Sequence, residues 1–588
     1  MKALDCFEEI WLCDTEYTAS PGCRVSPICL VAKEVRSGRE IRLWGDELWQ
    51  SCGAPFRTDG KSLFVAYAVA AELSVFRVLG WPPPRRILDL YTEFRAATNG
   101  LIVPNGRGLL GAMLKHGLPA MGGAEKKAMR DLAIRGGPFT DDERRQLLDY
   151  CAEDVTALER LLPEMLPQID LPRALLRGRY GWAVASMEHR GVPIDVPTLH
   201  HLRDRWEAIR VALVQEVDQR YHVFEGTTFK RSRFERWLVN REIPWPCHPS
   251  GELDLQDDTF RSMARVRPEV AELRELRAAL GGMRLFRDLA VGPDGRNRTS
   301  IMPFQATTGR NQPSNARFIF GPARFLRSLI KPAEGMALAY LDYQQQEFGI
   351  AAALSADPAM GVAYSSGDPY LAFGKQAGLI PEGGTKQTHS AERALCKACV
   401  LAVQYGMGEV GLASRIGKPD IEGRRLIRLH QQTYPRFWSW SQAAVDRAML
   451  TMSLESVFGW PIHIGPFAEM GRFPNPRSLA NFPCQANGAE MLRLACCMLV
   501  EAEIGLCAPV HDAVLIEAPA STIDETVREA KQIMGEASKL VLSGFEIGTD
   551  AKIVRSPDRY IDESGYVFWN TIIRIAGPMP PDIRTLAS

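Results

Sequence analysis

The chain has 588 residues, too many for one hydrophobic core, so its length predicts several domains. Hydrophobic residues make up 46% and charged residues 24%, the ordinary balance of a soluble globular protein. The formal net charge is zero, which excludes a uniformly basic surface and leaves only local patches for polyanions.

In chain order, Ile10 to Cys13 and Ser26 to Ala32 read as strands, and Ser62 to Leu79 and Asp141 to Leu162 as helices. That alternation predicts an α/β domain over 1–165. The start, Met-Lys-Ala-Leu-Asp-Cys, lacks the apolar run of a signal peptide, and no segment has the length of a membrane span. Leu166-Pro-Gln-Ile-Asp-Leu-Pro172 reads as a boundary. From Arg173 to about Leu289 the pattern is mostly helical and crowded with arginine (Arg203, Arg205, Arg231, Arg233, Arg236, Arg261), which reads first as solvated helix faces. Gly292-Pro-Asp-Gly295 is a turn signal. Met336 to Leu341 is an apolar run ending in an aspartate, the pattern of a buried strand. Ser390 to Tyr405 reads as a helix closed by Gly406, and Gly423 to Met452 as helix with a break at Pro435. Pro509 to Glu517 reads as a hairpin with His511-Asp512 near its tip. The 13 cysteines are scattered. Cys396 and Cys399 form one Cys-x-x-Cys without a second pair at zinc-ligand spacing, so they are expected as core thiols in a reducing, cytosolic setting.

Two groups of carboxylates stand out at the front. Asp14 and Glu16 lie two apart on a predicted strand, so both point to one face, a pattern suited to holding Mg2+. Tyr150 and Asp154 lie four apart on a predicted helix and share one side of it. In this order and spacing they resemble the first and third motifs of DEDD-type 3′→5′ exonuclease domains. The resemblance implies four acids, Asp14, Glu16, Glu72 and Asp154, holding two metal ions, with Tyr150 near the attacking water. The second motif departs from the family: Glu72 occupies the position of an aspartate, and Ala68 that of an asparagine. The extra methylene of Glu72 displaces its carboxylate, so the expectation is an exonuclease of reduced activity. Asp89 is read as structural.

Further on, Asp342 ends the apolar run and Asp512 sits in the hairpin between apolar residues. Such aspartates are unfavourable unless paired or holding metal. Between them Arg393, Lys397, Leu401 and Tyr405 recur every four residues. With a drift of only ~40° per step they form one winding stripe, cations at one end and an aromatic at the other. The chain here resembles the family A DNA polymerases. Asp342-Tyr-x-x-x-Glu347 looks like motif A, Arg393-x-x-x-Lys397 with Tyr405-Gly406 like motif B, and Val510-His511-Asp512 like motif C. Thr308-Gly309-Arg310 and Asn481-Phe-Pro-Cys-Gln485 look like the duplex-contacting segments. With the exonuclease pattern, the resemblance spans nearly the whole chain.

The resemblance implies that Asp342, Asp512 and the Tyr343 carbonyl bind two Mg2+ ions per site, with Mn2+ able to substitute. Arg393 and Lys397 would hold the incoming triphosphate, Lys397 also serving the chemistry, and Leu401 would touch the sugar. Tyr405 would close the templating pocket. Arg310, Asn481, Gln485 and His511 would contact the primer terminus and minor groove, and Glu347 would exclude a ribose 2′-OH. Three positions depart from the family: Ala513 stands where glutamate follows the motif C aspartate, Leu401 replaces an aromatic, and Ala394 replaces a second arginine.

The expected architecture is a mixed α/β and α+β multidomain protein: an RNase H-like exonuclease domain over 1–165, then a right hand. The hand is divided into thumb 173–300, palm 301–355, fingers 356–450 and palm again 451–588. The expected partners are primer-template DNA, deoxynucleoside triphosphates and accessory proteins of the clamp, helicase or primase kind, with no membrane. A monomer is expected, in the cytoplasm of a bacterial cell or phage-infected host. The short segment before Asp14 fits a phage-type replicative layout. The alternatives are a single-subunit RNA polymerase, an exonuclease with a non-catalytic DNA-gripping C-terminal part, and a catalytically dead scaffold.

Overall fold

The computed structural model describes residues 2–119, 122–465 and 475–578. The N-terminal part is built on a five-stranded sheet of β1 (Glu9–Thr18), β2 (Ser26–Glu34), β3 (Glu40–Trp44), β4 (Ser62–Ala66) and β5 (Ile87–Asp89), in the order β3-β2-β1-β4-β5. β1 to β3 are antiparallel neighbours, whereas β4 joins β1 in parallel and β5 joins β4 in parallel.

Side chains alternate across this sheet with period two. Trp11, Cys13, Leu30, Ala32, Phe64 and Ala66 enter one core, against helix α1 (Ala70–Leu79). Ile10, Leu12, Cys29, Val31, Leu63 and Val65 enter the other. Helix α2 (Leu90–Thr98) follows β5, helix α3 (Gly123–Arg135) comes next, and the second core is covered by the long helix α4 (Asp141–Met165). Asp14 and Glu16 share the face of Ile10 and Leu12, the face on which α4 lies.

One sequence expectation fails here. Ser62 to Leu79 is not one helix but strand β4 followed by α1. Ser62-Leu-Phe-Val-Ala66 is buried on both faces of a central parallel strand, and a continuous apolar run of that kind carries no periodicity to separate strand from helix. The left-handed backbone of Ala68 (φ 72°) makes the corner between the two.

Helix α5 (Leu171–Arg190) leaves the N-terminal part and presses on it. Gly178 allows the approach: a Cβ there would stand 2.0 Å from the Ile87 carbonyl oxygen. Across the same joint Arg177 makes a buried bidentate pair with Glu93 of α2, at 2.7 and 2.6 Å. Helical segments with an aromatic core of Phe234, Trp237, Trp245 and Phe260 follow.

The second sheet comprises β6 (Met336–Tyr343), β7 (Gly505–Val510), β8 (Ala513–Pro519) and β9 (Thr549–Arg555), all antiparallel, in the order β7-β8-β6-β9. Helix α6 (Gln346–Ser355) continues from β6. The insertion that follows is helical: α7 (Pro358–Ser365), α8 (Pro369–Gln376), α9 (Ser390–Gln404), Glu409–Ile416, α10 (Asp420–Thr433) and α11 (Pro435–Thr451). The break at Pro435 is where α11 begins. Helix α12 (Pro476–Glu501) then returns to the sheet and packs with α13 (Ile523–Val541). Cys396 and Cys399 are buried in α9. Among the described residues no helix is long and apolar enough to cross a membrane.

Candidate active sites

The first site lies where β1, α1 and α4 meet. Asp14 and Glu16 project from β1, Glu72 from the first turn of α1, and Tyr150 and Asp154 from α4. Glu72 is 3% exposed. Burial, followed by the charges of Asp154, Glu16 and Glu72, holds the Asp14 carboxyl well above the usual range. Burial and Asp154 push Glu16 up to about 7, and burial raises Glu72 as well. The Tyr150 phenol shares a hydrogen bond with Asp154. Asp14 Oδ2 and Glu72 Oε2 are buried with no hydrogen-bond donor. Carboxylate oxygens left this way are costly unless protonated or facing a cation. The donor set of hard oxygen atoms suits a divalent cation. As arranged, no three His, Cys, Asp or Glu side chains among the described residues close on one ion position. A residue not expected from the sequence intervenes: Lys126 of α3 puts Nζ 2.9 Å from Asp154 Oδ1. Asp89 stays outside the acid group. It caps α2 by accepting from the backbone N–H of Tyr91, and it also accepts from the Ala68 N–H and the Thr92 hydroxyl.

The second site lies on the four-stranded sheet. Asp342 stands near the end of β6, directly opposite Ala513 on β8. His511 and Asp512 form the two-residue turn of the β7-β8 hairpin, with His511 in a left-handed conformation (φ 55°). The register therefore brings Asp512 beside Asp342 although 170 positions separate them in the sequence. Partial desolvation, then Asp512 and Asp550, push Asp342 up to about 6. Tyr343 is buried, its phenol donating to the Met534 carbonyl at 2.9 Å.

Several residues singled out from the sequence join in one hydrogen-bonded chain. Arg310 Nη2 is 2.8 Å from Asp512 Oδ1, and Arg310 Nη1 donates to Gln485 Oε1. Gln485 Nε2 donates to Glu347 Oε1, which also accepts from the Tyr405 hydroxyl at 3.2 Å. The chain runs from the end of α9, through α6 and α12, to the hairpin tip. Asn481 lies four residues before Gln485 on α12 and so shares its side of the helix. Buried Gln346 faces Asp512 as well; with its amide nitrogen turned inward it donates to both carboxylate oxygens at 3.0 Å. Its role was invisible in the sequence because one glutamine among three carries no pattern.

Helix α9 carries the predicted stripe. Arg393 donates to Asp368 Oδ2 at 2.6 Å, and both Arg393 and Lys397 lie 5.6 Å from the Tyr370 ring centroid. Lys397 and Tyr405 are exposed and Leu401 is half-buried between them. Lys397 and Tyr405 are thus open to a ligand on one helix, while Arg393 is paired with Asp368.

Residues 270–553 match the model of DNA polymerase family A. The thermostable DNA polymerase I of Thermus thermophilus is 24% identical over 430 residues, covering 68% of this chain and 50% of that protein. DNA polymerase I of Deinococcus radiodurans is 24% identical over 511 residues, 82% of this chain and 49% of that protein. The chain spans about half the length of these curated relatives. Among solved structures, the POL domain of Pol1 from M. smegmatis, in complex with DNA primer-template and dNTP, aligns with a TM-score of 0.70. Its sequence identity is 16%, and the alignment covers 93% of this chain and 95% of that one.

Proposed function

We propose that this chain, whose residues 270–553 match the model of DNA polymerase family A, is a template-directed DNA polymerase with a 3′→5′ exonuclease domain at its front. The observation that carries the reading is the meeting of Asp342 and Asp512 on one sheet, linked through Arg310, Gln485 and Glu347 to Tyr405. The sheet and α12 act as the palm, the helices between 356 and 450 as the fingers, and the segment 173–300 as the thumb.

Asp342 and Asp512, with the Tyr343 carbonyl, would hold divalent ions, Mg2+ in this reading. Bound there, the ions would neutralise charge on the attacking and leaving oxygens of phosphoryl transfer. The rest falls to the chain's own side chains. Arg393 and Lys397 would meet the triphosphate, and Lys397 Nζ can donate to the departing pyrophosphate. Tyr405 and Leu401 would border the base and sugar. Glu347, fixed by Gln485 and Tyr405, would exclude a 2′-hydroxyl. Arg310, Asn481, Gln485 and His511 would receive the primer terminus and the minor groove. Arg310 would exchange its Asp512 contact for DNA.

At the front, the sheet order supports an RNase H-like exonuclease domain. The orphaned oxygens of Asp14 and Glu72, with Glu16 and Asp154, support a second pair of divalent ions there. Tyr150 would orient the water that cleaves the phosphodiester.

A labelled primer on a longer template tests both sites. With Mg2+ and deoxynucleotides the primer should lengthen, and Asp512→Asn should abolish this. Without deoxynucleotides it should shorten, and Asp14→Ala should abolish that. Shortening without any extension would overturn the polymerase reading.

A further inference from the structure

The joint between the front part and the second sheet holds a cleft of about 780 Å3. Its walls come from α1, the segment before β5, α5, the end of α12 and the start of β7. No residue of the two proposed sites lines it.

Five arginines line the cleft against two glutamates, Glu501 and Glu503. Arg179 is held by Glu501 in a bidentate pair, and Arg190 lies 3.4 Å from Glu517. Arg77, Arg85 and Arg86 are exposed and in no ion pair among the described residues. Burial, then the charge of Arg190, lowers the Arg77 guanidinium below its usual value, as expected of cations gathered without a counter-anion. Arg85 and Arg86 stand on a fixed backbone. Pro83 and Pro84 stiffen the chain before them. The Arg85 N–H donates to the Thr58 carbonyl at 2.9 Å, and the Arg86 carbonyl accepts from the Phe64 N–H at 2.9 Å.

Trp182 of α5 supplies an aromatic wall, with the Arg77 guanidinium 5.2 Å from its ring centroid. One turn on, Ser186 lines the cleft too. It is 6% exposed, and its hydroxyl has no hydrogen-bond partner. A helical serine commonly donates to the carbonyl four residues back, as Ser74 does to Ala70 at 2.7 Å. Ser186 does not, which leaves a buried donor unused at the cleft wall.

Unpaired guanidinium forks suit phosphate oxygens, and an indole face suits a base. Exposed cations on two separate elements suit a repeating backbone better than one phosphate group. We infer that this cleft binds single-stranded DNA, with Arg77, Arg85 and Arg86 toward its phosphates, Trp182 toward a base and Ser186 as a further donor. The inference goes beyond the polymerase and exonuclease readings and rests on neither.

The test is the fluorescence anisotropy of labelled oligothymidylate on the full chain, in EDTA and with excess primer-template present. The double variant Arg85→Ala, Arg86→Ala should bind the oligonucleotide more weakly. Its slope of log affinity against log salt should be shallower by about 1.4, from about 0.7 for each phosphate contact on a single strand. Trp182→Leu should weaken binding roughly 5- to 150-fold, the loss of one stacked base. An oligonucleotide carrying 5-bromouracil should crosslink to Trp182 under ultraviolet light. Unaltered affinity and salt slope in the double variant would overturn the inference, whatever the extension assay shows. Competition by free thymidine triphosphate, mole for mole with the oligonucleotide, would overturn it in favour of a nucleotide site.

Discussion

At the scale of single residues, the contact with the most direct chemical consequence is that of Lys126 on Asp154. The ammonium is paired with Asp154, so it competes for the carboxylate that a divalent ion would need in the proposed exonuclease. Lys126→Met keeps the stem and removes the charge. The expected outcome is primer shortening at lower Mg2+ than in the unaltered chain, with extension unaffected; a Mg2+ titration of both reactions checks it. His430 offers a second residue-scale prediction. It is 1% exposed, accepts from Trp438 Nε1 at 3.0 Å through Nδ1, and is pushed down to about 3 by burial alone. Its folded value is depressed, so the unfolded chain binds the proton first as pH falls. The neutral histidine's stability is present above about 6.5 and is lost toward 3, at about 1.4 kcal/mol per pH unit. In urea unfolding at pH 7 and pH 5, His430→Phe should lose less stability on acidification than the unaltered chain.

At the scale of elements, the buried Arg177–Glu93 pair fixes α5 against α2. Removing one partner leaves a buried charge alone, which costs about 3–5 kcal/mol. Glu93→Ala should show a loss of that size in chemical denaturation, and the double change with Arg177→Met should recover much of it. Elements also show how far the sequence could be read. Asp342 and Asp512 are legible because each interrupts an apolar run, and α9 because its stripe repeats every fourth residue. The boundary between β4 and α1 is not legible, since a strand buried on both faces has no period. Asp550 and Lys126 are not legible either. Nothing local in Thr549-Asp-Ala-Lys552 marks its aspartate, and only the register of β9 against β6 brings it to Asp342. Lys126 lies on a helix whose exposed neighbours hide it among ordinary surface charge.

At the scale of the whole molecule, the front part and the rest form one packed body. Arg95 of α2 donates to the Phe304 carbonyl at 2.8 Å, and Asn99 Nδ2 to the carbonyls of Thr307 and Pro461 at 2.7 and 2.6 Å. Residues of α5 enter three separate cores: Ala174 one, Ala185 a second, and Tyr180, Ala183, Val184 and Met187 a third. Calorimetry should therefore show one cooperative transition over both parts. Gly178→Ala would force α5 off β5, an overpacking that typically costs about 1–3 kcal/mol. It should lower that single transition as a whole, without splitting it.

The seat of α5 also bears on how such a chain can change over generations. A helix shared by three cores makes the front half a buttress, whatever chemistry it carries. Substitutions at Asp14, Glu72 or Asp154 would silence the exonuclease proposed there and leave Gly178, Arg177 and Asn99 under undiminished selection. Loss of the trade would not bring loss of the tenant, and a foreign front half grafted at residue 170 would arrive without the contacts that hold the original.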